Sequence, residues 1–374
     1  MSNGDIIVLS RSKELNGISE IKRSLPKLSD RFITSESVFG LVAHLLAKPN
    51  IQCIFALSGI EAIIAICLTQ LLRKKIPIVM AVYHSKQWLV GLDADYSPTQ
   101  AMLFSKILPE LPATNIIYNS VPVYNACMAI FNVPGDPCFV LPPSSFTPPD
   151  KLPLKKKSTS IRIVTVGRYV DFKVKGILHF IECVDRLNSQ GCEFTYDIYG
   201  EGPLKDSLVQ KISETRNQAQ FTLHNALPPD QLATMIGSAD LYFGMGITIS
   251  QAALLGVPTL ISIQDSEKTY GFFSWFNHSI NPVIGDALHN AEMLEVEELL
   301  IDFSRFSDTQ RQELGQACQT AAAPYLGERT VQKLLQVLLK APYIKHTSIR
   351  LIQLFFILLE KKWFRFCGRK GIQA

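Results

Sequence analysis

Apolar residues in this 374-residue chain come as short, mostly continuous runs separated by longer stretches with apolar positions at helical spacing. Residues 5–9, 51–57, 76–83, 115–118 and 138–141 are such runs, and 35–46, 58–72, 97–108 and 121–131 carry the helical pattern between them. The alternation resumes with runs at 161–166, 194–199, 221–224, 241–243 and 259–263, spaced by helical stretches at 177–188, 204–213, 229–236 and 249–255. Strands that are apolar throughout, rather than at every second residue, predict a parallel sheet covered by helices on both faces. Further helical periodicity follows at 292–303, 308–323 and 330–339.

The alternation is interrupted once. Residues 146–160 hold three prolines, three consecutive lysines and a Ser-Thr-Ser, just after Pro142 and Pro143, which predicts a linker. The chain is therefore expected to have a first α/β domain over 1–145, a second over 161–340 and a different kind of segment over 341–374. With 47% hydrophobic and 19% charged residues, each half can bury a core of its own. The net charge of +4 is too small to point to nucleic acid. Eight cysteines without C-x-x-C spacing, several inside apolar runs, read as buried reduced thiols. Residues 1–10 lack the basic and long apolar regions of a secretory signal, so a cytoplasmic location is expected.

The stretch from Gly244 to Pro258 carries the clearest chemistry. It runs from a strand end through Gly246 into a short helix, which Gly256 and Pro258 then terminate. A helix that starts at the carboxyl end of a parallel strand presents free N–H donors and a partial positive charge to an anion. Arg168, just past Gly167, should emerge at the mouth of the same sheet, and Lys173 or Lys175 would add a point charge. There is no Asp-x-Asp pair placed to hold a divalent metal on a diphosphate and no phosphate-binding GxxxxGK[ST] loop, so neither metal nor cofactor is expected.

Val166-Gly-Arg168, Lys173, Lys175-Gly176, Tyr199-Gly-Glu-Gly-Pro-Leu204 and the 244–258 stretch together resemble the C-terminal half of family 4 retaining glycosyltransferases of the GT-B fold, in the family's order. The resemblance implies two Rossmann-like domains facing across a cleft and a metal-independent, retaining hexosyltransferase. It implies that Arg168 and Lys173 hold the donor's diphosphate and that the loop of Gly246, Ile247 and Thr248 covers it. By the same resemblance Leu227 falls where a loop contacts the nucleotide base, Glu201 lies in another loop at that edge, and His84 lies near the reacting sugar of the acceptor-side domain. The expected partners are a nucleotide-sugar donor and a lipid-linked saccharide acceptor, as in bacterial surface polysaccharide or lipopolysaccharide assembly.

The chain departs from the family where two glutamates stand eight positions apart. Phe243 and Gln251 occupy those places. Gln251 can still exchange hydrogen bonds with ribose hydroxyls; alternatively, Thr248-x-x-Gln251 forms a capping box at the helix start. The missing carboxylates keep two rivals open, a GT-B-like protein that binds a nucleotide sugar without transferring it and a nucleotide-sugar epimerase. Glycine-rich character is not evident in residues 10–17, on the acceptor side. At the other end, residues 349–366 combine an apolar run with Trp363, Phe364, Phe366 and flanking lysines and arginines. The run is too short to span a bilayer. It fits an in-plane anchor on the anionic inner face of a membrane, or a last helix packed back on the first domain with a solvated basic tail.

Overall fold

The computed structural model describes residues 5–9, 32–35, 38–82, 111–118, 121–131, 138–139, 148–149, 159–275, 285 and 292–344. The chain divides into two units, one made of Met1–Ser145 with Gly327–Ala374, the other of Phe146–Leu326.

In the first unit, β1 (Asp5–Leu9), β2 (Phe32–Ser35), β3 (Ile51–Ala56), β4 (Ile78–Val82), β5 (Ile116–Tyr118) and β6 (Cys138–Phe139) form one sheet in the order β2-β1-β3-β4-β5-β6, and every pairing is parallel. Helices α1 (Val38–Ala47), α2 (Gly59–Leu71) and α3 (Val121–Phe131) connect the strands. The apolar runs resolve into two faces at period two. Ile7, Leu9, Ile54, Ala56, Met80 and Val82 share a core with Leu41 and Leu45 of α1 and Ala62 to Leu68 of α2.

The opposite face, Ile6, Val8, Cys53, Phe55, Val79, Ala81 and Ile117, is covered by α10 (Gly327–Lys340), whose Val331, Leu334 and Leu338 enter it. Residues 327–340 therefore belong with the first unit, whereas the pattern along the chain grouped them with the second. The cause is burial: α1 and α2 lie on the other side of the sheet, and each of the three α10 side chains contributes about 1.5–3 kcal/mol by leaving water here. Asn115, fully buried, fixes the chain after α10 by donating from Nδ2 to the carbonyls of Ile78 and Pro342, each at 2.9 Å.

The second unit contains β7 (Ile161–Val166), β8 (Phe194–Tyr199), β9 (Phe221–His224), β10 (Leu241–Gly244), β11 (Thr259–Ser262), β12 (Lys268–Phe272) and β13 (Leu294–Glu295) in the order β13-β12-β11-β10-β7-β8-β9. The strands from β9 to β11 are parallel, and β12 and β13 extend the sheet antiparallel. The helices are α4 (Asp171–Ser189), α5 (Lys205–Ser213), α6 (Pro229–Gly237), α7 (Ile247–Leu254), α8 (Val296–Arg305) and α9 (Asp308–Ala322). From β7 the chain winds outward through β8 and β9, then returns to β10 on β7's other side. The carboxyl ends of β7 and β10 thus flank a topological switch point, where open α/β sheets leave a crevice for ligands.

Among the described residues no helix is long and apolar enough to cross a membrane. Five described cysteines, Cys53, Cys67, Cys127, Cys183 and Cys318, are buried free thiols, and Cys192 is partly buried. Burial pushes the thiols of Cys53 and Cys127 up to about 12 and those of Cys67 and Cys183 to about 11.

Candidate anion site at the switch point of the second unit

Strand β7 runs through the middle of the second sheet because Ile161, Ile163 and Val164 are buried on both of its faces. At its end the chain turns sharply. Gly167 donates to the Tyr199 carbonyl at 3.0 Å and Tyr169 to the Glu201 carbonyl at 2.9 Å, continuing the β7–β8 ladder past the strands. Tyr169 is fully buried, and its hydroxyl lies 3.3 Å from the Ile198 carbonyl. With Gly167 and Tyr169 pinned, Arg168 is left exposed on the turn. Gly200 is required here by close approach, since a Cβ on it would lie 1.9 Å from the Gly167 carbonyl oxygen.

Lys173 is the third residue of α4, which starts directly after this turn. Its Nζ lies 4.0 Å from where a Cβ on Gly167 would stand and 3.7 Å from the same point on Gly246. It therefore sits between the turn after β7 and the loop after β10. Among the described residues this ammonium has neither an ion-pair nor a hydrogen-bond partner. Burial, and secondly the charge of Arg168, hold its pKa below the ordinary lysine value. A desolvated cation without a counterion is costly, and an anion placed beside it removes that cost.

The loop after β10 completes the arrangement. Buried Tyr242 ties it to β7: its hydroxyl donates to the Val166 carbonyl at 3.2 Å and lies 3.4 Å from the Val166 amide nitrogen. Gly246 is the N-cap of α7 with φ 79° and ψ −153°, a conformation side-chain-bearing residues rarely adopt. The helix thus begins at Ile247, and among the described residues the amides of Ile247 and Thr248 have no acceptor. They and the helix dipole present positive potential to the crevice. Ile247 itself is 42% exposed. At its other end α7 closes in a Schellman motif, with Gly256 at φ 72° and Val257 donating to the Ala252 carbonyl at 3.1 Å, as the glycine and proline of this stretch lead one to expect.

The expected capping box at Thr248 and Gln251 does not form. Gly246 takes the N-cap position and no side chain caps this helix, so Thr248 falls in its first turn. Thr248 Oγ1 instead points back to the carbonyls of Val166 at 3.4 Å and Met245 at 3.3 Å. A reciprocal box does cap α9, between Ser307 and Gln310. Gln251, three residues after Thr248 and hence on the same helix face, has its Oε1 buried with no hydrogen-bond donor among the described residues. Phe243, at the other departure from the family pattern, is a core residue: its ring stacks on Phe180 with centroids 3.9 Å apart.

The remaining candidates separate. Lys175 is turned away from the site, exposed and 3.6 Å from Glu267 Oε1. Glu201 and Leu227 lie in the loops after β8 and β9, at the same sheet edge but one and two strand spacings from β7, about 5 and 10 Å. Glu201 is exposed and Leu227 half-buried. His84 lies outside the described residues, as do residues 10–17 and 349–374.

A cluster that the sequence pattern did not single out lies on the flank of the same sheet. Arg162 Nε donates to Asp197 Oδ2 at 2.7 Å, His224 Nε2 lies 2.8 Å from Asp197 Oδ1, and the His224 ring stacks on Tyr199 at 4.1 Å. The available signal was the polar residues at every second position of β8, Thr195, Asp197 and Tyr199.

Residues 148–267 match the family model described as "Glycosyl transferases group 1", a range that contains every candidate residue of the second unit named above. No curated protein matches the chain. Among solved structures it is similar to a glycosyltransferase from Rickettsia africae ESF-5, at 13% identity over 90% of this chain and 98% of that one with a TM-score of 0.63. A sucrose-phosphate synthase from Thermosynechococcus elongatus gives 12% identity, 90% and 98% coverage and 0.61. WaaG, a glycosyltransferase involved in lipopolysaccharide biosynthesis, gives 10% identity, 90% and 100% coverage and 0.57. At such identities these likenesses establish the fold, while the family match supports sugar transfer. The chain has the α/β fold of GT-B glycosyltransferases, and the part of its second unit around the crevice between β7 and β10 lies within the segment that matches the group 1 glycosyltransferase model.

Proposed function

We propose that the protein moves a hexose from a nucleotide-sugar donor to a saccharide acceptor, with retention and without a metal ion. The observation that carries this is the half-buried Lys173 ammonium, without a counterion among the described residues, between the Gly167–Arg168 turn and the amides of Ile247 and Thr248 at the start of α7, which have no acceptor among those residues either. A diphosphate answers all three features at once. Lys173 supplies a point charge in a desolvated setting, Arg168 a planar fork matched to phosphate oxygens, and the amides of Ile247 and Thr248 two oriented donors. These groups stabilise the negative charge that grows on the leaving diphosphate as the bond to the sugar breaks. Gln251 Oε1, a buried acceptor without a donor among the described residues, suits a hydroxyl of the ribose, and the loops of Glu201 and Leu227 extend the site toward the base. His84 is the candidate group on the acceptor side.

The acceptor we propose is a lipid-linked saccharide at the inner face of a membrane, approached through the basic, apolar segment 349–374. Deleting that segment should release the protein from membranes; unchanged sedimentation with membranes refutes this part. The transfer itself is tested by incubating the protein with a panel of nucleotide sugars and following release of nucleoside diphosphate, which Arg168→Ala should abolish. A second reading, donor binding without transfer, is favoured by Phe243 and Gln251 standing where the family has glutamates. Tight binding of a nucleotide sugar with neither hydrolysis nor transfer to any acceptor would decide for it. A second sugar nucleotide formed without acceptor would instead indicate an epimerase.

A further inference from the structure

At the amino edge of the first sheet, the end opposite its strand carboxyl termini, lies an open groove of about 940 Å³ between the end of α2, the loop into β4 and the segment after α10. Its walls include the apolar Ile66, Ile76 and Tyr343, the last of these 56% exposed, and beside it Leu71 is 54% exposed. Arg73, Lys74 and Lys75 form the rim. Among the described residues none of the three has an ion-pair or side-chain hydrogen-bond partner. Arg73 holds φ 51°, a left-handed position that glycine ordinarily occupies.

Charge selects the occupant. The chain leaves the groove at Ile344 and continues into residues 345–374, which hold seven Lys or Arg against one Glu in a protein of net charge +4, so the rest of the chain is net acidic. This segment has the rim's own sign and cannot neutralise it. A second copy presenting the same face would bring like charges together. Rim and segment call for one anionic counterpart, and the apolar walls between the basic groups call for one with hydrocarbon beneath its charges.

We propose that this groove docks on an anionic phospholipid bilayer, with Arg73, Lys74 and Lys75 on headgroup phosphates and the exposed Leu71 and Tyr343 at the acyl boundary. The contact is additional to that of residues 349–374, deepens the membrane part of the reading above, and does not require that sugar transfer be correct.

The test is flotation of the full chain with vesicles of phosphatidylcholine plus phosphatidylglycerol, against phosphatidylcholine alone, for wild type, Lys74→Gln/Lys75→Gln and a deletion of 349–374. Loss of two near-surface lysines should weaken binding to the anionic vesicles about thirty-fold, with Tm unchanged. Equal binding to both vesicle types overturns the proposal. If the lysine variant binds like wild type while the deletion does not, the groove is excluded and the contact through residues 349–374 stands; if wild type binds neither, both fall. A change in solution mass in the lysine variant, with vesicle binding unaltered, would make the groove a contact between copies instead.

Discussion

Replacing Lys173 by methionine should weaken nucleoside diphosphate binding while leaving the ligand-free protein as stable as before, or more so. The two signs follow from one fact: the ammonium is desolvated and, among the described residues, unpaired, so the folded chain bears a cost that only a bound anion relieves. At an effective dielectric of about 20, a unit charge about 4 Å away contributes about 4 kcal/mol. Partial exposure and the amine's own desolvation reduce this to about 2–3 kcal/mol, the range of hydrogen bonds to charged groups. In Kd that is about 30- to 140-fold.

The pH dependence has a definite sign. The folded pKa of Lys173 is lowered, so the destabilisation is fully present below the folded value and is relieved as pH rises through it toward the unfolded 10.5; over the same window diphosphate affinity falls. Isothermal titration calorimetry with UDP, GDP and ADP measures the affinity, and differential scanning fluorimetry without ligand measures the stability. Lys175→Met is the control: its side chain is exposed and lies 3.6 Å from Glu267, so it should change neither. An unchanged Kd for Lys173→Met would refute the site, and a clear fall in ligand-free Tm would make Lys173 a structural residue.

Gly200→Ala should distort the Arg168 turn, because the added methyl meets the Gly167 carbonyl; a stability loss of about 1–3 kcal/mol in urea denaturation, with weaker diphosphate binding, is expected. Leu334→Ala should cost about 2–5 kcal/mol and unfold the first unit ahead of the second, visible as a split transition in calorimetry. The thiols of Cys53, Cys67, Cys127 and Cys183 should resist iodoacetamide at pH 7 and react fully only after denaturation, since burial holds their pKa values at about 11 to 12.

The fold was legible because short, mostly apolar runs rich in β-branched and aromatic residues, set between helical stretches, read as strands of a covered sheet: β7, β8 and β10 stand almost where those runs end. The candidate anion site was proposed for a related reason, as basic residues in glycine-flanked turns after buried strands have no core to pack into. What escaped was what depends on contacts remote in sequence. The apolar stripe of α10 says that the helix is covered, not by which sheet. The Thr248-x-x-Gln251 spacing was that of a capping box, yet a glycine two residues before Thr248 took the cap, leaving Thr248 on the Val166 and Met245 carbonyls and Gln251 Oε1 without a donor among the described residues. Arg162, Asp197 and His224 come from three strands, and only the pairing of β7, β8 and β9 brings them together. The resemblance favoured Lys173 over Lys175, and the turn of α4 separates the two, with Lys175 beside Glu267.

That α10 completes the first sheet also sets the order in which the molecule can be made. A ribosome exposes residues 5–139 early, but the layer that closes Ile6, Val8, Phe55 and Val79 is not synthesised until Leu338. At about 5–20 residues per second, that leaves one side of the sheet open for roughly 10 to 40 s. Meanwhile Phe146–Leu326 emerges whole and can collapse unaided. The amino-terminal half should therefore mature last, and nascent chains arrested before residue 327 should expose an apolar sheet that invites chaperones or clumping.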